Sequence, residues 1–503
     1  MRTRGLAAVG VRRSMVGGGV LAALCLSGSP CAEAQDLVIR AGRVHTATGE
    51  VIEKGVVIVR DGVIQQVGRD LPVPAGARVI DAPDGSVTPG LIDANALLEP
   101  SDAVSSPENR RGIFQYIYHS NTHGGALICL LCDGYASCAF ADSHDDIEPG
   151  DVCPICGLTN ADDPSLFASG LAGFGTTTEA SSEVVPHTFV ADALNLRSPD
   201  FDRLVRGGVT TVFAAPDTAA VIGPRGAIVR TAGPLAQRVV NDAGPVQATI
   251  SADTYRVGGG NGTPSRFSVT ARTRRPNSRM GLGFVFRKAF HDAELLASGG
   301  KPDGADTASN EALEVVTKVR EGEIPLRILA RTQRDILTGI RLAEEFGFTF
   351  TLVEATEAYR CLDDLASRDM KVIYGPIYDQ PSGARARTPE TREAKLSAIR
   401  QLLDAGVETA ITAQDLREED GLARQAMYAI RAGLTTEEAL QAVTRTPARI
   451  LGIADSVGTI EKGKRADLVV WSGAPFEATS SPIQVIVGGE VAWSGATQAR
   501  SGQ

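Results

Sequence analysis

The sequence predicts an α/β protein in which a central parallel sheet or barrel lies between two β-rich chain ends. Short apolar strands alternate with helices through the middle of the chain, and this pattern favours a parallel sheet or barrel. Both ends instead contain short strands joined by tight turns. With 503 residues, of which 43% are hydrophobic and 22% charged, the chain can bury a barrel core and a satellite domain.

The N-terminal β-rich segment, residues 36–88, contains a clear hairpin signal. Residues 56–59 (VVIV) and Val63-Ile64 flank Asp61-Gly62. An Asp-Gly pair between apolar runs is typical of a two-residue hairpin turn. Residues 456–497 at the other end repeat this style, so we expect a second group of strands there.

Between the two ends, strands and helices alternate. Residues 208–213 (GVTTVF) indicate a buried strand, and the spacing of apolar residues predicts a helix over 335–346 that ends at Gly347. Thr435 begins another helix, in which Glu438 completes a capping box. Further strands are predicted at 350–353, 372–374 and 409–412.

Residues 99–186 break this alternation and carry five of the eight cysteines. Cys129 and Cys132 form one Cys-x2-Cys pair, and Cys153 and Cys156 form a second. Two such knuckles can complete a closed tetrahedral zinc site of four thiolates, which is structural because it leaves no open position for a substrate. Disulfide bonding is the alternative, and it gains weight if the protein is exported.

The N-terminus has the features of a targeting segment. A basic start that includes Arg12-Arg13 precedes an apolar stretch at 15–28 and an A-x-A cleavage site at Ala32-Glu33-Ala34. We therefore expect residues 1–34 to be a signal peptide, with the Arg-Arg pair resembling a twin-arginine signal. The net charge of −10 argues against a nucleic-acid partner, and no later stretch has the length and hydrophobicity of a membrane span.

Several phrases resemble the amidohydrolase superfamily. Residues 87–98 (VTPGLIDANALL) are similar to its first barrel strand, and residues 458–468 (GTIEKGKRADL) closely match its C-terminal signature. Further matches at 183–187 (EVVPH) and 221–226 (VIGPRG) are closest to the imidazolonepropionase-like amidohydrolases.

The resemblance implies a (β/α)8 TIM-type barrel formed by residues 89–98 and 187–455. The two chain ends, 36–88 and 456–497, would combine into a composite β-sandwich. Residues 99–186 would then be an insertion after the first barrel strand, beside the barrel mouth where the carboxyl ends of the strands meet and ligands bind.

In that family the first barrel strand ends in His-any-His, two later strands each supply a histidine, and the last supplies an aspartate. The aspartate position falls here on Asp415, with the adjacent Gln414 as the other possible register. Every histidine position holds a different side chain. These positions are Asn95, Leu97, Leu329 and Glu354.

These replacements predict that the catalytic barrel metal is absent. Leucine provides no coordinate bond and Asn95 only a weak neutral donor, so zinc could not be held in the family's way. Glu354 and Asp415 remain as candidates for metal-free acid/base catalysis or for holding a hard cation with water. The competing interpretation is that both are ion-paired, with Arg331 as a partner.

We therefore expect an exported, non-catalytic homologue that binds a small molecule or a protein partner at the barrel mouth. One alternative is an enzyme that hydrolyses non-peptide C–N bonds through an altered site at Glu354 and Asp415. Another is a subunit that forms a homo- or hetero-oligomer with an active amidohydrolase. Whether the chain is an enzyme stays open at this stage.

Overall fold

The computed structural model describes residues 36–98, 182–254, 276–304, 307–377, 390, 393–414 and 421–495. The predicted signal peptide, the cysteine pairs Cys129/Cys132 and Cys153/Cys156, and Asp415 lie outside the described residues.

Strands make up both ends of the chain, and strands and helices alternate through most of its middle. The strands are β1 (Leu37–His45), β2 (Val51–Glu53), β3 (Gly55–Arg60), β4 (Val63–Arg69), β5 (Arg78–Pro89), β6 (Leu91–Ala96), β7 (Val209–Ala214), β8 (Ile222–Arg225), β9 (Ala227–Arg230), β10 (Val239–Asn241), β11 (Val246–Thr249), β12 (Leu326–Ala330), β13 (Phe350–Glu354), β14 (Lys371–Tyr374), β15 (Glu408–Ile411), β16 (Leu468–Trp471), β17 (Pro482–Val487) and β18 (Glu490–Ser494). The helices are α1 (Pro199–Arg206), α2 (Leu235–Arg238), α3 (Arg279–Ala297), α4 (Asn310–Arg320), α5 (Gln333–Phe346), α6 (Leu362–Ala366), α7 (Ala398–Asp404), α8 (Leu422–Arg431), α9 (Thr436–Ala442) and α10 (Arg445–Ile450).

Both chain ends contribute to one eight-stranded sheet, in the order β18-β17-β16-β5-β1-β3-β4 with β2 beside β1. β16 from the C-terminal end pairs antiparallel with β5, so that Leu468 lies opposite Pro89. The predicted Asp-Gly turn between β3 and β4 is confirmed, because Asp61 and Gly62 both adopt positive φ angles of 51° and 76°.

The middle of the chain forms an α/β barrel. β6 and β7 pair in parallel, and β11 to β15 form a second parallel series. The first and last strands meet where Thr412, just after β15, donates a hydrogen bond of 2.5 Å to Asp93 on β6. The regular eightfold repeat is interrupted between β7 and β11, where β8 and β9 pair antiparallel to their neighbours.

Apolar side chains from six of these strands fill the inside of the barrel. They alternate along each strand with residues that face the surrounding helices, as a closed parallel sheet requires. The inner layer contains Ile92, Ala94, Phe213, Leu329, Val353, Ile373 and Ala410.

Helix boundaries follow local capping chemistry. α5 begins two residues earlier than the pattern predicts because the Thr332 hydroxyl accepts a hydrogen bond from the Asp335 backbone N–H, and it ends at Gly347 with φ of 74°. The capping box of Thr435 and Glu438 at the start of α9 is confirmed. Among the described residues, no helix combines the length and the hydrophobicity needed to cross a membrane.

Candidate functional site

The four histidine positions of the resemblance converge inside the barrel. Asn95 lies on β6, Leu97 just after it, Leu329 on β12 and Glu354 at the end of β13. Asn95, Leu329 and Glu354 are buried, and Leu97 packs against the apolar inner layer. Gln414 is also fully buried, and its side-chain amide donates to Glu354 Oε1. Gln414 lies three residues after the end of β15 and precedes Asp415, the residue to which the resemblance assigns the aspartate position.

Glu354 is ion-paired with Arg331, as the competing interpretation of the sequence expected. Arg331 lies two residues beyond Leu329, and both Arg331 and Glu354 have side chains only 1% exposed. The Nε of Arg331 donates to Glu354 Oε2, Nη2 donates to Oε1 at 3.2 Å, and Nη1 donates to Asp253 at 2.8 Å. Burial lowers the pKa of Arg331, but the carboxylates of Glu354 and Asp253 outweigh it and raise that pKa above its ordinary value.

Further charged side chains lie around the Arg331–Glu354 pair. Glu390 Oε2 lies 3.6 Å from Arg331 Nη1, and Glu390 Oε1 accepts a hydrogen bond of 2.6 Å from Arg279. Arg279 also holds Asp335, with its Nε 2.8 Å from Oδ1. Burial raises the pKa of Glu390; Arg331 opposes this shift, and Asp335 and Asp253 add to it. These described residues thus place more carboxylates than guanidinium groups at the barrel mouth.

A second arginine, Arg327, lies deeper in the barrel. Its Nη2 donates to Asn95 Oδ1 at 2.8 Å, and its guanidinium carbon lies 3.9 Å from the centroid of the Phe213 ring. This distance permits a cation–π contact. Burial lowers the pKa of Arg327 to about 9, against the charge of Asp93, so the group stays positive at neutral pH.

The backbone at the mouth adopts left-handed conformations. Glu354, Ala355 and Gln414 have φ angles of 65°, 52° and 56°, in a backbone region that residues other than glycine rarely occupy. Such residues cost on the order of 1–3 kcal/mol each, so the surrounding contacts must hold them in place. The end of β13 and the segment after β15 bring Glu354 and Gln414 within hydrogen-bonding distance of each other.

The donor set at this centre does not fit the family's catalytic zinc. Leu97 and Leu329 have no donor atom, and Asn95 Oδ1 already accepts from Arg327. Both Glu354 oxygens accept from Arg331, so a divalent cation there would compete with a fixed guanidinium charge. Within the described part of the chain, no three His, Cys, Asp or Glu side chains are grouped as a metal site requires.

Sequence reasoning missed much of this network. Asp253, Arg279 and Glu390 come from three distant parts of the chain, and no local pattern connects them. The sequence did contain a signal for the arginines. Arg327, Leu329 and Arg331 are spaced two residues apart in an otherwise apolar segment, and residues with this spacing lie on the same face of a strand.

Comparison with known proteins agrees with the architecture. The sequence model of the amidohydrolase family matches residues 185–492. The imidazolonepropionase of Mesorhizobium japonicum is 25% identical over 433 residues, which cover 84% of this chain and 87% of that protein. An amidohydrolase from Thermotoga maritima of known structure has 26% sequence identity and a TM-score of 0.67, with 91% of this chain and 100% of that chain covered.

A further relative is much longer than the region it shares with this chain. The amidohydrolase tasK of Hapsidospora irregularis is 25% identical over 342 residues, which cover 64% of this chain. The chain spans about a third of that protein, because the match covers 34% of its length.

Proposed function

Because this chain belongs to the amidohydrolase family, we propose that its barrel is an inherited hydrolase scaffold that binds a ligand or partner at its mouth without a catalytic metal. One observation carries the proposal: Arg327 and Arg331 are bonded to the oxygens of Asn95 and Glu354, two of the family's ligand positions. The protein would be a non-catalytic homologue of metal-dependent C–N hydrolases.

The chemistry of the arginines supports this proposal. A metal ion activates water because it is a Lewis acid that lowers the pKa of the bound molecule. A guanidinium group has no vacant orbital and stays protonated, so it can neither bind hydroxide as a metal does nor act as a base. Glu354 is a poor general base here, because its charge is already neutralised by Arg331.

Glu390 favours a second candidate function, the metal-independent hydrolysis of C–N bonds. Its raised pKa suits a general acid that donates a proton to a leaving nitrogen. The name of the imidazolonepropionase relative is compatible with a substrate whose C–N bond is hydrolysed. In this candidate Glu390, rather than the predicted Glu354 and Asp415, would be the proton donor.

Three further parts of the proposal go beyond the described residues. We propose that residues 1–34 direct export, that Cys129, Cys132, Cys153 and Cys156 hold one structural zinc, and that the chain forms a homo- or hetero-oligomer with amidohydrolase homologues. The first two rest on the sequence motifs, and the third rests on family resemblance alone.

Metal analysis combined with turnover tests the proposal. The purified full chain is incubated with zinc, dialysed, and assayed on imidazolone propionate, dihydroorotate and dipeptides, with and without a chelator. We expect one zinc per chain that is lost in Cys129→Ser, and no hydrolysis of any substrate either with or without the chelator.

Each other outcome has a defined meaning. Hydrolysis that a chelator abolishes and zinc restores would overturn the proposal. Hydrolysis that resists the chelator, disappears in Glu390→Gln and persists in Glu345→Gln would establish the second candidate. Glu345 is a suitable control because it lies near the C-terminal end of α5 and its ion pair with Arg287 of α3 is about one-third exposed.

A further inference from the structure

Below the ionic network, two neighbouring strands place polar side chains on the inside of the barrel. β11 and β12 pair in parallel with Gln247 opposite Arg327 and Thr249 opposite Leu329. Residues paired in this way point to the same side of a sheet. Arg327 reaches Asn95 and Phe213 across the barrel, so this side is the interior.

Several polar atoms here lack a hydrogen-bond partner among the described residues. They are Arg327 Nε and Nη1, Gln247 Oε1 and Thr249 Oγ1. All three residues are at most 2% exposed. Buried polar atoms in folded proteins are satisfied in roughly nine cases out of ten, so four such atoms on the same side of two paired strands indicate a bound group.

The charge of Arg327 favours an anion over water. In the described part of the chain its single hydrogen bond goes to the neutral amide oxygen of Asn95. The Asp93 carboxylate instead accepts from the Thr412 hydroxyl and from the backbone N–H of Ala413 and Asn95. A buried guanidinium is stabilised far more by an anion bonded directly to it than by a neutral dipole.

The neighbouring side chains narrow the chemical class of the anion. The Phe213 ring lies against the guanidinium and apolar residues line the same layer, which favours a small planar group such as a carboxylate. Gln247 Oε1 can only accept a hydrogen bond, whereas the Thr249 hydroxyl can donate one. A carboxylate with an adjacent O–H or N–H group satisfies all of these atoms together.

We propose that Arg327, Gln247 and Thr249 form a subsite inside the barrel for a carboxylate that carries an O–H or N–H group on its α-carbon. Arg327 binds the carboxylate and Gln247 accepts from the adjacent donor. This inference rests on the proposed function and names the ligand class of that barrel. This combination of a carboxylate and an adjacent hydrogen-bond donor occurs in free α-hydroxy acids and at the carboxylate end of larger N-acyl amino acids.

Calorimetric titration of the full chain at constant ionic strength tests the subsite. The probes are glycolate, N-benzoylglycine and chloride. We expect at least one of the two acids to bind, chloride not to bind, and Arg327→Met to weaken acid binding by about tenfold or more. Arg360→Met is the matched control and should leave the affinity unchanged, because Arg360 is 42% exposed and pairs with Glu393 instead.

The two acids identify the source of the carboxylate. N-benzoylglycine that binds about tenfold more tightly than glycolate, with the same dependence on Arg327, would indicate the end of a larger ligand. Similar affinities for both would indicate a free hydroxy acid. The absence of binding by either acid, or equal binding by wild type and Arg327→Met, would overturn the subsite.

Gln247→Glu provides a second test that does not depend on removing the arginine. The new carboxylate would lie beside Arg327 and take the place of the ligand, so we expect a higher melting temperature and loss of acid binding. A lower melting temperature with unchanged acid binding would overturn the proposal. The metal and turnover assays have separate readouts, so failure of the proposed function is distinguishable from failure of this subsite.

Discussion

At the scale of single residues, Arg331 holds together the carboxylates at the carboxyl ends of the barrel strands. It contacts Glu354, Asp253 and Glu390 from inside a site where it is 1% exposed. Removing one charge of such a buried pair by mutation leaves its partner uncompensated in a medium of low dielectric constant, which destabilises the folded protein. Replacing both charged side chains with neutral ones avoids most of this destabilisation. The two cases can be distinguished by mutation.

We expect Arg331→Met to lower the free energy of unfolding by about 3–5 kcal/mol, because Glu354 and Asp253 lose their buried counter-charge. The double variant Arg331→Met/Glu354→Gln should recover part of that loss. Urea denaturation followed by circular dichroism measures both values.

The Arg287–Glu345 pair is the matched control. Its side chains are 35% and 34% exposed, so Arg287→Met should cost less than about 1 kcal/mol. An Arg331→Met variant that is no less stable than Arg287→Met would contradict a stabilising role for the network.

At the scale of secondary-structure elements, local hydrogen bonds decide where the helices begin. In α9 the Thr435 hydroxyl accepts from the Glu438 N–H at 3.2 Å, and Glu438 Oε2 accepts from the Thr435 N–H at 2.7 Å. Both bonds satisfy backbone groups that the first turn of a helix leaves free.

Thr435→Ala should therefore lower the free energy of unfolding by about 1 kcal/mol, because alanine cannot accept the Glu438 hydrogen bond. Thr435→Ser keeps the hydroxyl and should stay close to wild type in the same urea titration. Equal losses in both variants would indicate that the methyl group, and not the cap, is what matters.

At the scale of the whole molecule, β16 joins the eight-stranded sheet to the barrel. Leu468 and Val470 pack into the core of the sheet, and Val469 and Trp471 pack into the main core with the barrel. Trp471 also donates a hydrogen bond of 2.9 Å to Thr88 on β5. A strand buried on both faces couples the two parts, so we expect them to unfold together.

Fluorescence can test this coupling because the chain has only 2 tryptophans. In Trp493→Phe the remaining Trp471 reports on the sheet junction, while far-UV circular dichroism reports on the α-helices, which in the described residues all lie between Pro199 and Ile450. We expect the two signals to change at the same urea concentration. Two separate transitions would show that sheet and barrel unfold independently.

The predictable features of this protein are local in sequence. The Asp61-Gly62 turn, the Gly347 helix end and the Thr435 cap each depend on residues within a few positions of one another, and the structure contains all three. The assignment of Asn95, Leu329 and Glu354 followed from short phrases that resemble a family, and the structure places all three as buried residues on barrel strands. Asp415 lies outside the described residues, and Gln414 beside it contacts Glu354.

By itself the sequence determined which side chains stand at the positions that the resemblance assigns to metal ligands, and none of Asn95, Leu97, Leu329 and Glu354 is an imidazole. Only the tertiary structure decided what those side chains do instead. Arg327 and Asn95 are separated by 232 positions, and Arg279 and Glu390 by 111. Such contacts depend on closure of the barrel, which brings the ends of distant strands together and buries their charges at hydrogen-bonding distance.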